Sequence, residues 1–226
     1  MKKIILLFFL IIFQITLAEN ESKQLETIIS SINKSSKKEN LRTIVNYLNY
    51  ANKSDFNSIL KIKINEENKV YLEFAKGYFL YLNNDFENAS SLLYKIYLPI
   101  YETDNYDDQY VYYHYLYDIE KTLGNDSNSL FFLNKINSIY LKTKNINYLY
   151  YYLIEKGVCY RNTKQYEKAF ELFKEAEKIS KKTQNKTPFN WLYLHQGRTY
   201  LEMGDYFKAK YYYDLCKNKL IVRNYP

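Results

Sequence analysis

The feature that most constrains this chain is an internal period of 40 residues. Lys156-Gly157-Val158-Cys159-Tyr160 aligns with Gln196-Gly197-Arg198-Thr199-Tyr200, and the register continues through Tyr166/Tyr206, Ala169/Ala209, Phe173/Tyr213 and Ala176/Cys216. Eighty residues before Gly157 stands Gly77, followed by Phe86, Ala89, Leu93 and Ile96 in the same slots. The intervening unit keeps Gly124, Ser129, Leu133 and Ile136, but carries Tyr117 in place of the first glycine and Asp126 in place of the aromatic. Residues 67–226 therefore read as four units, about 70–109, 110–149, 150–189 and 190–226. A unit of this length does not bury its own apolar face, so the units must stack on one another.

Within a unit the slots describe a helix pair. A small residue on the first helix (Gly77, Gly157, Gly197) and another on the second (Ala89, Ala169, Ala209) let the two approach closely, while Asn84-Asp85, Lys164-Gln165 and Gly204-Asp205 supply the turn. Phe170, Phe173, Ala176 and Ile179 mark the buried face of one second helix. Five Gly and three Pro in 226 residues are too few for a turn-rich β-sandwich or barrel. The expected fold is all-α, a right-handed α-solenoid of stacked antiparallel helix pairs. The 28 Tyr, with abundant Asn, Lys and Ile, read as a compositional bias in which Tyr stands where Phe or Leu would serve.

The segments Gly157-x-x-Tyr160, Tyr166-x-x-Ala169, Phe173, Ala176 and Gly197 through Ala209 resemble the tetratricopeptide repeat, and Gly204-Asp205-Tyr206-x-x-Ala209 is a typical junction of that family. The family's usual unit is about 34 residues. The longer unit here resembles the variety found in exported regions of bacterial sensor and regulator proteins. The resemblance is strongest over Tyr150–Leu220 and weakest over Tyr110–Leu141. Residues 19–66 are less regular: Lys23–Ile32 and Leu41–Asn49 carry helical spacing, and Asp55-Phe56-Asn57-Ser58-Ile59 echoes Asp85-Phe86-Glu87-Asn88-Ala89. They read as a degenerate first unit with a capping helix.

Ahead of them, Met1-Lys2-Lys3, the apolar run Ile4–Phe13 and the small residues Thr16 and Ala18 form the pattern of a secretory signal peptide over 1–18. The expected location is exported, periplasmic or secreted after cleavage near Ala18. Export sets aside nucleic acid as a partner, and so does the charge pattern: the net +7 is interleaved Lys and Glu rather than a basic stripe. Any membrane association is expected only through the signal peptide or a missing downstream segment.

No chemistry-bearing constellation stands out. His114 and His195 occupy different slots of their units, Asp107-Asp108 read as a solvated linker, and Cys159 and Cys216 sit in packing slots, where export permits a disulfide that the sequence alone does not decide. Phosphate loops, metal-ligand spacings and nucleophile elbows are missing, so neither cofactor nor metal nor enzymatic activity is expected. The tetratricopeptide resemblance implies a different site, the concave groove lined by first helices. Its slots fall on Tyr71, Phe74, Tyr78 and Tyr81, on His114, Asp118 and Lys121, on Tyr151, Ile154, Val158, Arg161 and Asn162, and on Trp191, Leu194, Arg198 and Glu202. Within them Tyr71, Tyr78, Tyr151 and Trp191 are aromatic anchors, Asn162 is a polar contact, and Lys121, Arg161 and Arg198 are cations for an acidic partner. The function expected is capture of a protein or peptide partner without catalysis. The alternative is the input portion of a membrane-bound signalling protein, a histidine kinase or helix-turn-helix regulator, lacking its output domain. The last second helix, with Tyr211, Tyr212, Leu215, Leu220 and Ile221, is expected to need covering by a partner or further repeats.

Overall fold

The computed structural model describes residues 23–31, 40–50, 59, 62–182 and 189–223. The expected signal peptide and the Asp55–Ile59 echo, apart from Ile59, lie outside these residues. No strand occurs among the described residues. The helices are α1 (residues 23–31), α2 (Asn40–Tyr50), α3 (Lys69–Leu82), α4 (Phe86–Lys95), α5 (Tyr97–Tyr101), α6 (Tyr106–Thr122), α7 (Asp126–Thr143), α8 (Ile146–Asn162), α9 (Tyr166–Lys182), α10 (Phe189–Glu202) and α11 (Tyr206–Arg223). Their packing in adjacent pairs is that of an all-α helical-repeat solenoid.

The period is written into the turns. First helices end at Leu82, Thr122, Asn162 and Glu202, and second helices begin at Phe86, Asp126, Tyr166 and Tyr206, each 40 residues apart. Between them Asn84, Gly124, Lys164 and Gly204 adopt positive φ, at 63°, 76°, 59° and 82°. That left-handed residue lets the next amide turn back: Asp85, Asn125, Gln165 and Asp205 donate to the carbonyls of Leu80, Glu120, Tyr160 and Tyr200 at 2.8–3.0 Å. This is the Schellman closure of a helix C-terminus. The same four residues then start the second helix, and Asp205 Oδ1 accepts from the Lys208 amide at 3.0 Å.

The chain divides into two compact units, Met1–Phe132 and Leu133–Pro226, with the boundary inside α7. In the first, α3 packs on α4, and α2 lies against both α3 and α6. Its core draws Leu41, Ile44 and Leu48 from α2, Phe74 and Tyr78 from α3, and Tyr112 and Leu116 from α6. The Tyr112 hydroxyl donates to the Leu93 carbonyl at 2.8 Å, satisfying a backbone acceptor at the end of α4. Asp108 departs from its expected solvated linker. It is buried in the first turn of α6, where Oδ1 accepts from the Leu41 amide at 2.9 Å and Oδ2 from Asn105 Nδ2 at 2.8 Å. Its carboxyl thus ties α2 to α6, and burial pushes its pKa up to about 6.

In the second unit α8 pairs with α9, α10 pairs with α11, and the pairs stack through α9 and α10. Tyr150, Leu153, Ile154, Ala169, Phe173, Ala176 and Leu192 form its core. Gly157 makes the α8–α9 approach possible: a Cβ there would lie 2.5 Å from Phe173 Cε1. Gly77 meets Leu93 and Gly197 meets Tyr213 in the equivalent way, so the repeating glycine marks a repeating close approach.

Candidate functional site

The groove positions behave differently on successive first helices. On α3 the aromatic stripe is already occupied. Phe74 and Tyr78 are buried, the Tyr78 hydroxyl donates to Asn49 Oδ1 at 2.7 Å, and the Tyr71 hydroxyl accepts from Asn40 Nδ2 at 3.1 Å. Tyr115 of α6 packs its ring 4.6 Å from Tyr78 and 5.2 Å from Tyr81. Burial raises the hydroxyl pKa of Tyr71 and Tyr78, and that of Tyr81 to about 12. Tyr78 is therefore corrected from a free anchor to an internal packing group, whereas Tyr71 stays half-buried beside α2.

On α6 the polar groups meet along the helix. Asp118 lies 3.7 Å from both His114 Nε2 and Lys121 Nζ, and Lys121 also sits 4.6 Å above the Tyr117 ring. A partly exposed pair such as Asp118–Lys121 contributes about 0.3–0.5 kcal/mol, so it orients Lys121 more than it holds it.

On α8 and α10 the expected cation pair splits. Arg161 is buried, with Nη1 3.3 Å from His195 Nδ1, Nη2 donating to Asn162 Oδ1 at 3.0 Å, and Nε 3.3 Å from Glu202 Oε1. Guanidinium only donates, so His195 Nδ1 faces it as an acceptor. Burial lowers the Arg161 pKa, opposed by the Glu202 charge. Arg161 is thus corrected from a presented cation to a buried strut between α8 and α10, and Asn162, itself exposed, serves it. Arg198 remains exposed and shares the same Glu202 oxygen at 3.5 Å. Lys121 belongs to the first unit and these two arginines to the second.

Trp191 straddles the two situations. Its Nε1 donates to the buried Glu155 Oε1 at 3.2 Å and its ring meets His195 edge-on at 4.9 Å, yet 42% of the residue is exposed. Tyr151 is half-buried. From Trp191 an exposed stripe runs along α10 through Leu194 (41%), Arg198 and Leu201 (44%). The residues 40 positions earlier than the last three, Ile154, Val158 and Arg161, are all buried. On α8, Arg161 is closed over by His195 and Glu202 of α10 and Ile154 shares its core with Leu192; among the described residues no comparable group closes over Leu194 and Leu201 on α10. Leu201 was missed by the groove transfer, although its i, i+3, i+7, i+10 spacing from Trp191 is visible in the sequence.

Beyond this stripe, Phe207 is 86% exposed where the preceding unit has Glu167, and Tyr206 and Tyr211 are exposed beside it on α11. Cys159 and Cys216, both half-buried, form no disulfide with each other. Among the described residues no three His, Cys, Asp or Glu converge to hold a metal, and no helix is long and apolar enough to cross a membrane.

No protein-family model matches this chain, and no curated protein matches it in sequence. Among solved structures it is similar to BtubC (BKLC) from P. vanneervenii, with a TM-score of 0.61 over 94% of this chain and 92% of that one, at 12% sequence identity. At that identity the likeness establishes a common all-α, helical-repeat fold.

Proposed function

We propose that this chain is a tetratricopeptide-like interaction module, exported by its N-terminal segment, that captures a partner protein without chemistry of its own. The partner lays an amphipathic helix along α10. The observation that carries the reading is the contrast between exposed Leu194, Arg198 and Leu201 and their buried counterparts Ile154, Val158 and Arg161. The position that α10 takes against α8 is available for a partner against α10. Apolar side chains would meet Trp191, Leu194 and Leu201, the kind of aromatic and aliphatic surface from which interface hot spots are built. An acidic group would meet Arg198, competing with Glu202 for the guanidinium. The tetratricopeptide assignment is supported by the Gly157–Ala176 and Gly197–Ala209 motifs and by left-handed turns at 40-residue intervals.

The test compares the unaltered chain with a Leu194→Asp/Leu201→Asp variant as baits in extracts of the native cell, with captured proteins quantified by mass spectrometry. Both substitutions fall on exposed sites, so helicity should be unchanged. The reading predicts at least one protein held by the unaltered chain and lost by the variant. An identical captured set refutes it.

A further inference from the structure

The second helix of the first pair is shorter than its counterparts. α4 has 10 residues, against 18, 17 and 18 for α7, α9 and α11. Pro99 accounts for the break. Continuing α4 straight through it would lose the hydrogen bond to the Lys95 carbonyl and drive the ring against that oxygen. The chain bends instead at Ile96 (φ −104°, ψ 12°) and restarts as α5.

The bend leaves an open cleft of about 610 Å³ between the end of α4, α5 and the first turns of α7. That size suits a small molecule. Its ring walls are Tyr94, Tyr97, Phe131 and Phe132, with Leu98 and Pro99 along one edge. Phe132 is buried, with Tyr94 at 5.8 Å and Phe131 at 5.2 Å between ring centroids. Leu98 and Phe131 stand exposed to water.

Polar chemistry in the cleft is sparse and mostly committed. The Asn128 amide donates to Glu120 Oε2 at 3.0 Å. Glu120 is buried and also accepts from Ser90 Oγ at 2.7 Å and Asn125 Nδ2 at 2.9 Å. The Tyr94 hydroxyl is likewise engaged with Glu120. Lys95 is different: it lines the cleft, is exposed, and has no ion pair or side-chain hydrogen bond among the described residues. An apolar trough with one uncommitted cation fits a ligand with a hydrocarbon body and an anionic head. A peptide fits less well, because its backbone amides would find few uncommitted partners on these walls.

We propose that this cleft binds a small amphiphilic carboxylate, its hydrocarbon chain lying between Tyr94, Leu98 and Phe131 and its carboxylate paired with Lys95. The site is separate from the partner face on α10 and does not depend on it.

Isothermal titration of the full chain with decanoate, and in parallel with decyltrimethylammonium, both in monomeric solution, tests the assignment. Decanoate should bind saturably at one site and the alkylammonium much more weakly. Lys95→Glu should lower decanoate affinity roughly tenfold or more, the scale of one charge-assisted contact, while Lys95→Arg retains it. Phe131→Asp should abolish binding, with circular dichroism reporting an unchanged fold. Three results would each overturn the proposal: no saturable decanoate binding, equal or tighter binding of the alkylammonium, or decanoate affinity indifferent to both Lys95→Glu and Phe131→Asp.

Discussion

Gly157→Ala tests whether the repeating glycine exists for close helix approach. The added Cβ would sit 2.5, 2.9 and 3.0 Å from Cε1, Cδ1 and Cζ of Phe173. Ordinary contact begins near 3.4 Å, so the ring must retreat by about 1 Å, and overpacking of this kind costs about 1–3 kcal/mol. Phe173 is fully buried among Ile154, Ala169, Ala176 and Leu192, and a flat ring has no small torsion that clears three atoms at once. The upper end of the range therefore applies. Alanine gains about 1 kcal/mol of helix propensity over glycine, leaving a net loss of about 2 kcal/mol. For a chain of this size that lowers the midpoint of thermal unfolding by about 4–8 °C. The assay is thermal and urea denaturation of the single variant, of Phe173→Leu, and of the double variant. The shorter leucine gives the new methyl room, so the double variant should be more stable than the sum of the single effects by about 1 kcal/mol. A Gly157→Ala protein as stable as the parent, or strictly additive effects, would refute the reasoning.

Three further outcomes follow from the same geometry. The Asp108 carboxyl, at about 6 in the folded chain and about 3.9 unfolded, binds its proton more tightly when folded. Its stabilising contribution is therefore full below about pH 4 and lost as pH rises through about 6. The stability of the parent relative to Asp108→Asn should fall by about 2–3 kcal/mol from pH 4 to 7, measured by urea denaturation; a flat or rising difference contradicts this. Lys164 holds a left-handed turn that Gly124 and Gly204 fill elsewhere, so Lys164→Gly should raise stability by about 0.5–1 kcal/mol; a loss would show that its side chain contributes more than the strain removes. Arg161→Ala leaves Glu202 with Arg198 alone and strips a buried donor from His195 and Asn162. It should destabilise the second unit by about 2–3 kcal/mol, whereas Arg198→Ala, at an exposed pair, should cost under about 1 kcal/mol.

The sequence reveals the elements whose cause is local. The 40-residue register appears in the helix termini, and two of the four left-handed turn residues are glycines that announce themselves. Asn84 and Lys164 do the same work without that signal, and only the alignment with Gly124 and Gly204 points to them. Burial set by a distant element was harder to read. Nothing near Tyr71 or Tyr78 indicates that α2, some 30 residues earlier, supplies the amides that meet their hydroxyls. Arg161 looks like a surface cation until Glu202, 41 residues later, closes on it. Asp108 in an acidic pair reads as solvated, although Leu41 donates to it across 67 residues. The cleft beside Lys95 had a visible cause in Pro99, but its walls come from residues more than 30 positions apart.

The central claim is that α10 is the face that meets a partner. A photo-cross-linking amino acid placed at 194 tests it most directly, with a second variant carrying it at 174, where Lys174 is exposed on α9. Both variants are irradiated in the native cell, and the conjugates are identified by mass spectrometry. The account predicts a discrete cross-linked protein from position 194 that is missing from position 174 and vanishes when Leu201→Asp is added. Cross-linking at 174 alone, equal cross-linking at both positions, or none at 194 would contradict it.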